Sequence, residues 1–136
     1  MKFNKNTLIE YRISRAKETI KGAELALKNN MLFDAENRIY YAIFFIVTAL
    51  ALKNDFSASK HSQLLGLFNH NFIKNNILDV DLGRIYRNAL KYRKKGDYDD
   101  FAFFEKAEVE EHFKDMLYFV SEIEKFINSP NEFCSK

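Results

Sequence analysis

The 136-residue chain has one cysteine, Cys134, one proline, Pro130, and no tryptophan. A single cysteine excludes an intrachain disulfide and a paired-cysteine metal site, and it suits a reducing cytoplasmic setting. The lone proline disfavours helical backbone only at Ser129. The four glycines form no phosphate-cradling loop, and there is no His-Glu-x-x-His element and no nucleophile elbow. His61, His70 and His112 fall on three separate segments, so their spacing predicts no metal site and no cofactor. Charge of one sign is missing too. The 21 basic and 19 acidic residues leave a net +2, which gives no general preference for nucleic acid or membrane, although one cleft can still be basic. The start, Met1-Lys2-Phe3-Asn4-Lys5, lacks the apolar run of a signal peptide. No alternating strand pattern, internal repeat or low-complexity run occurs.

What the chain does have is a run of fourteen residues without a charge, from Ile39 to Leu52. As a helix it spans ~21 Å, short of the ~30 Å hydrocarbon core of a bilayer. The run therefore reads as the central helix of a helical core, with the other helices packed around it. Fourteen phenylalanines and seven tyrosines exceed what so small a core buries, which points to a subunit interface and predicts a homodimer.

Before this run, residues 7–30 carry Ile9, Ile13, Ala16, Ile20, Ala23 and Leu27 at alternating steps of four and three, one apolar helical stripe. Asn29-Asn30 ends it, and the short turn predicts an antiparallel pair with the central helix, for which Asp34 is the expected N-cap. A polar linker follows, in which Ser57 or Ser59 could cap a third helix over 61–74. A fourth is expected over 82–94, capped by Asp81 and stopped by Gly96. The last is expected from Phe101 to about Asn128, capped by Asp99 or Asp100. The reading is all-α: an up-and-down antiparallel bundle of four long helices plus one shorter helix, a single domain over 1–130, and a frayed tail over 131–136.

Three groups of polar residues could carry chemistry. Asn37 and Arg38 lie in the opening turns of the most buried helix, where an amide and a guanidinium need hydrogen bonds. They either satisfy local partners or line a polar cleft. His61 either caps and packs or serves as a proton donor or phosphate contact. Arg84, Arg87, Asn88, Lys91 and Arg93 either form a solvated face or a groove for phosphates. Arg93 turns toward the packed side, and Asp97 is its nearest carboxylate.

Ala35-Glu36-Asn37-Arg38-Ile39-Tyr40-Tyr41-Ala42-Ile43-Phe44 resembles the signature helix of the HEPN family (higher eukaryotes and prokaryotes nucleotide-binding). The small stand-alone prokaryotic subfamily is similar in three further places: Ser59-Lys60-His61-Ser62, Arg93-Lys94-Lys95-Gly96-Asp97-Tyr98, and the long final helix. The resemblance covers about residues 5–128. It implies a dimerising helical bundle with a genomic partner, often a minimal nucleotidyltransferase, in a toxin–antitoxin or defence pair. Many relatives are metal-independent ribonucleases that use an arginine, usually a polar residue after it, and a histidine four to six residues further on. Arg87-Asn88 matches the start of that element, but Tyr92 stands where a histidine is wanted. The resemblance thus implies binding of RNA or nucleotide, through Asn37, Arg38, Asn88, Arg93, Asp97 and Tyr98, with weak or no catalysis. The alternative is a ribonuclease toxin in which His61 and Arg87 are catalytic. A structural module without a ligand is the third reading.

Overall fold

The computed structural model describes residues 4–56, 60–98 and 103–129, with the backbone alone at Tyr98. It is all-α, with no strand among the described residues. The helices are α1 (Lys5–Lys28), α2 (Leu32–Lys53), α3 (His61–Phe68), α4 (Val80–Tyr98) and α5 (Lys106–Asn128), and α3 passes into a π-helical turn, Asn69–Ile73.

Helix α2 is the centre and packs against α1, α3, α4 and α5. Its cross-contacts fix the directions of its neighbours. Lys5 pairs with Asp55, Arg12 donates to the Thr48 carbonyl, and Gly22 faces Arg38, so α1 runs antiparallel to α2. Gly96 faces Phe33 and Arg93 covers Tyr40, so α4 is also antiparallel. Glu36 meets His112 and Lys53 donates to the Ile127 carbonyl, so α5 runs parallel to α2.

The core is built from the residues that the helical periodicity selects on α1 and α2, and from Phe68, Phe72, Tyr86, Met116, Phe119 and Ile123 around them. Leu32–Lys53 is, by length and composition, apolar enough to cross a bilayer, yet most of it is buried in this bundle. It is not covered on every side: Tyr41, Phe44, Phe45, Thr48 and Leu52 form a half-buried stripe at helical spacing.

Several expected boundaries move. The α1 cap is Asn4, whose side chain accepts from the backbone N–H groups of Asn6 and Thr7. Asp34 is not the cap of α2, because the helix already begins at Leu32; Asp34 lies in its first turn and binds Arg38. Lys60 holds the cap position of α3, where its N–H donates to Gln63 Oε1, while Ser57 and Ser59 lie outside the described residues. At the start of α4, Asp79 rather than Asp81 accepts the free backbone N–H.

Gly96 does not stop α4. It is helical, and its missing side chain makes room for Phe33, whose Cδ1 would stand 3.2 Å from an added Cβ. The final helix starts at Lys106 instead of Phe101. Phe104 is buried against Phe33 and Tyr92, and Glu105 after it is extended at the cap position, so the helix begins only beyond them. Asp99 and Asp100, the expected caps, lie outside the described residues. Three helical segments end at Asn29-Asn30, Asn54-Asp55 and Asn75-Asn76: Asn30, Asp55 and Asn76 take left-handed backbone angles near +60°, the φ that a C-terminal cap needs.

Candidate functional site

The first turns of α2 and the last turns of α4 enclose a cleft of about 230 Å³. Asp34, Glu36 and Asn37 line it from α2, and Tyr92, Arg93, Gly96 and Asp97 line it from α4, with Phe33 at the rim. Helical spacing puts Arg93 and Asp97 one turn apart on the same face, and Arg93 Nε stands 3.3 Å from Asp97 Oδ2. This is an ion pair without hydrogen-bond geometry, because Nε is buried and has no hydrogen-bond acceptor. The Arg93 guanidinium lies over two aromatic rings of α2, 5.2 Å from the Tyr40 centroid and 5.4 Å from that of Tyr41. Such contacts hold a cation in place at about 0.5–1 kcal/mol each.

His61 reaches the same two tyrosines from α3. Its Nδ1 is 2.8 Å from the Tyr40 hydroxyl, its ring stacks on Phe44 at 4.4 Å, and Tyr41 meets it edge-on at 5.8 Å. The chain leaves α2 at Lys53 but brings His61 back beside Tyr40, roughly 20 Å along the helix. Burial, and then the charge of Arg93, hold the His61 imidazole below the ordinary histidine range. Burial pushes the Tyr40 hydroxyl up, against a smaller opposing effect of Arg93. Both groups are therefore neutral near pH 7.

A second polar cluster lies behind the cleft. Glu36 is only 2% exposed and its Oε2 is 2.6 Å from His112 Nδ1. Tyr92 covers that imidazole at 4.3 Å between centroids, and its hydroxyl donates to Glu108 at 3.4 Å. Burial alone would lower the His112 pKa, but the hydrogen bond and charge of Glu36, with Glu108 and Asp115 beyond, outweigh it and raise the value.

The sequence-selected residues thus divide. Asn37, Arg93 and Asp97 share the cleft, and His61 joins Arg93 through Tyr40. Arg38 does not line the cleft; it binds Asp34 and lies across Gly22 of α1. Asn88 lines a separate space of about 10 Å³ with Ile39, Ile85 and His112, room for about one water. Arg87 is exposed on the outer face of α4 with Arg84, Lys91 and Lys94. Tyr98 ends α4, and its side chain lies outside the described residues. Sequence reasoning passed over Tyr40, which looked like core, and the Glu36–His112 pair, whose members are 76 residues apart. The one available signal was an acidic residue, Glu36, ahead of an uncharged run. Among the described residues no three His, Cys, Asp or Glu side chains gather as a metal-binding group.

Residues 9–126 match the HEPN domain. The chain belongs to the HEPN family. A UPF0332 protein of Thermotoga maritima is 42% identical over 123 residues, 90% of this chain and 93% of that protein. A Methanocaldococcus jannaschii protein named "Putative toxin MJ0142" is 35% identical over 124 residues, 90% of this chain and 84% of the relative. The matched region includes α2, so Asn37 and Tyr40 both lie within the HEPN domain on its central helix.

Proposed function

We propose that this HEPN protein is the toxin-like member of a prokaryotic toxin–antitoxin or defence pair. In this reading it binds RNA or nucleotide at the α2–α4 cleft, has weak or no catalysis of its own, and associates with a minimal nucleotidyltransferase. The relatives named as toxins support the class. The observation that carries the ligand is Arg93: a guanidinium fixed over two tyrosines, its Nε sealed from solvent, lining a cleft that also offers the Asn37 amide. Arginine donors arranged in this way suit phosphate oxygens. Arg87, Lys91 and Lys94 continue a cationic face along α4 that a longer RNA backbone could follow. The half-buried stripe of Tyr41, Phe44 and Phe45 supports a homodimer, which would cover it.

Weak catalysis follows from what helix α4 lacks. Cleavage through a 2′-hydroxyl needs a base, charge stabilisation and an acid, and arginine supplies only the second. The convergence of His61 on Arg93 through Tyr40 favours the alternative, a metal-independent ribonuclease with His61 as its titratable group. The test is binding and cleavage of single-stranded and structured RNA by the purified protein, with and without the product of its neighbouring gene. Binding without turnover, weakened by Arg93→Ala, is the expected result. Robust cleavage by the protein alone, abolished by His61→Ala or Arg87→Ala, would replace this reading with the ribonuclease.

A further inference from the structure

Tyr40 is wholly buried, and the one bonding partner of its hydroxyl among the described residues is His61 Nδ1 at 2.8 Å. A buried O–H that points at no acceptor loses its hydrogen bond to water without replacement, which is costly. Tyr40 stays protonated, because burial raises its pKa more than Arg93 lowers it. Its hydrogen therefore goes to the one acceptor within reach, and Nδ1 receives it. A neutral imidazole carries a single hydrogen, which must then sit on Nε2. That nitrogen has no partner among the described residues. Phe44, stacked at 4.4 Å, and Tyr41, edge-on at 5.8 Å, keep the ring from turning over.

The geometry points to Tyr40 as a positioning residue that locks His61 in the Nε2–H tautomer, so that His61 and Arg93 together donate to one phosphate group. The inference rests on the reading above, that a phosphate-bearing ligand enters this cleft, and it adds which atoms receive it and why His61 is not a base. With its lone pair held by Tyr40, His61 cannot take a proton from a 2′-hydroxyl while that bond stands. It can donate one hydrogen bond outward. Arg93 lies over the same tyrosine pair, and the donors it can present there are its terminal guanidinium N–H groups, because Nε is sealed from solvent. Asp34, Glu36 and Asp97 are the competing anions of the cleft; Asp97 lies 3.3 Å from the buried Nε without making a hydrogen bond, which leaves the terminal guanidinium N–H groups for an incoming oxygen. The shared chemistry is a phosphate oxyanion, either a phosphodiester of RNA or the terminal phosphate of a nucleotide.

The experiment uses the full chain labelled with nitrogen-15 at histidine. Imidazole nitrogen spectra near pH 8 should show His61 as the Nε2–H tautomer in the parent and a mixture in Tyr40→Phe, which keeps the ring and loses the hydroxyl. Affinities for a short single-stranded RNA and for adenosine monophosphate are measured alongside. His61→Ala should weaken whichever ligand binds by about tenfold, the worth of roughly one hydrogen bond. His61→Gln, whose amide nitrogen can stand in for Nε2–H, should restore most of that loss, which a missing base would not allow. Binding of the RNA alone assigns the phosphodiester, and binding of the mononucleotide assigns a terminal phosphate. An Nδ1–H tautomer in the parent overturns the inference, and needs no variant to fold. Binding lost in Arg93→Ala but unchanged in His61→Ala overturns this inference and leaves the RNA reading standing. Failure of both ligands to bind removes the two together.

Discussion

His112 Nδ1 lies 2.6 Å from Glu36 Oε2, which joins the first turns of α5 to the first turns of α2 inside the bundle. Tyr92 of α4 covers the imidazole, so three helices meet at one short ion pair. The carboxylate is more deeply buried than its partner, with side-chain exposures of 2% and 17%. Glu36 also lines the cleft that holds Asn37 and Arg93, so the pair stands directly behind that cleft.

Removing one member of such a pair leaves the other charge buried and unmatched. His112→Ala should therefore destabilise the fold by about 3 kcal/mol or more, within the range for a broken buried pair. Urea melts of parent and variant check this. A midpoint unchanged at equal slope would mean that Glu36 finds another partner or takes up a proton.

The pair should also make stability depend on pH. The folded-state pKa of His112 is raised, so the folded state binds the proton more tightly than the unfolded chain. The stabilisation is then fully present below the unfolded histidine value of about 6.5, and is lost as pH rises through the higher folded value. His61 runs the other way. Its depressed pKa gives stability that is present above about 6.5 and lost as pH falls through the lower folded value. Melts of His61→Gln between pH 6 and 8 isolate the first effect and should show stability falling as pH rises. His112→Gln should reverse the trend.

Arg93 combines a partly exposed ion pair with two aromatic contacts, and its side chain is 19% exposed. Exposed pairs contribute ~0–1 kcal/mol and buried ones ~3–5 when broken, so Arg93→Ala should cost about 2 kcal/mol. Thermal denaturation of the variant measures it. A curve superimposing on the parent would show that Asp97 and the tyrosines contribute little to holding the fold.

Two glycines should respond oppositely to alanine. An added Cβ at Gly66 meets nothing within 4 Å, so Gly66→Ala should stabilise α3 by up to about 1 kcal/mol through helix propensity. At Gly83 the Cβ would stand 2.9 Å from Asn69 Oδ1 and 3.3 Å from Ile73, where the π-turn packs on α4. Gly83→Ala should destabilise despite the same propensity gain. Chemical denaturation of both variants decides, and an equal shift in the same direction would contradict the packing.

A dimer is the expected state in solution. Light scattering at micromolar concentration should return twice the 16.1 kDa chain mass. Phe44→Glu, on the half-buried stripe of α2, should shift it toward the monomer if that stripe is covered by the second copy. A single-chain mass for the parent would remove the dimer from the proposed function.

The five helices, their order and the ends at Asn29-Asn30, Asn54-Asp55 and Asn75-Asn76 were legible in the sequence, because helical periodicity and left-handed caps are local properties. So was the Arg93–Asp97 pair, whose spacing of four places both on one helix face. The resemblance to the HEPN family was legible as well, and the family match covers residues 9–126. The late start of α5 and the run of α4 through Gly96 were not, because both depend on where Phe104 and Phe33 lodge. Nothing local tells Tyr40 from the other rings of α2, or links Glu36 to His112. Tertiary packing decided these: it returned His61 along α2 to one tyrosine, brought Arg93 over the same ring, and buried a carboxylate that required a partner from the last helix. Periodicity tells which face of a helix turns inward, but which side chains meet there depends on how the helices pack.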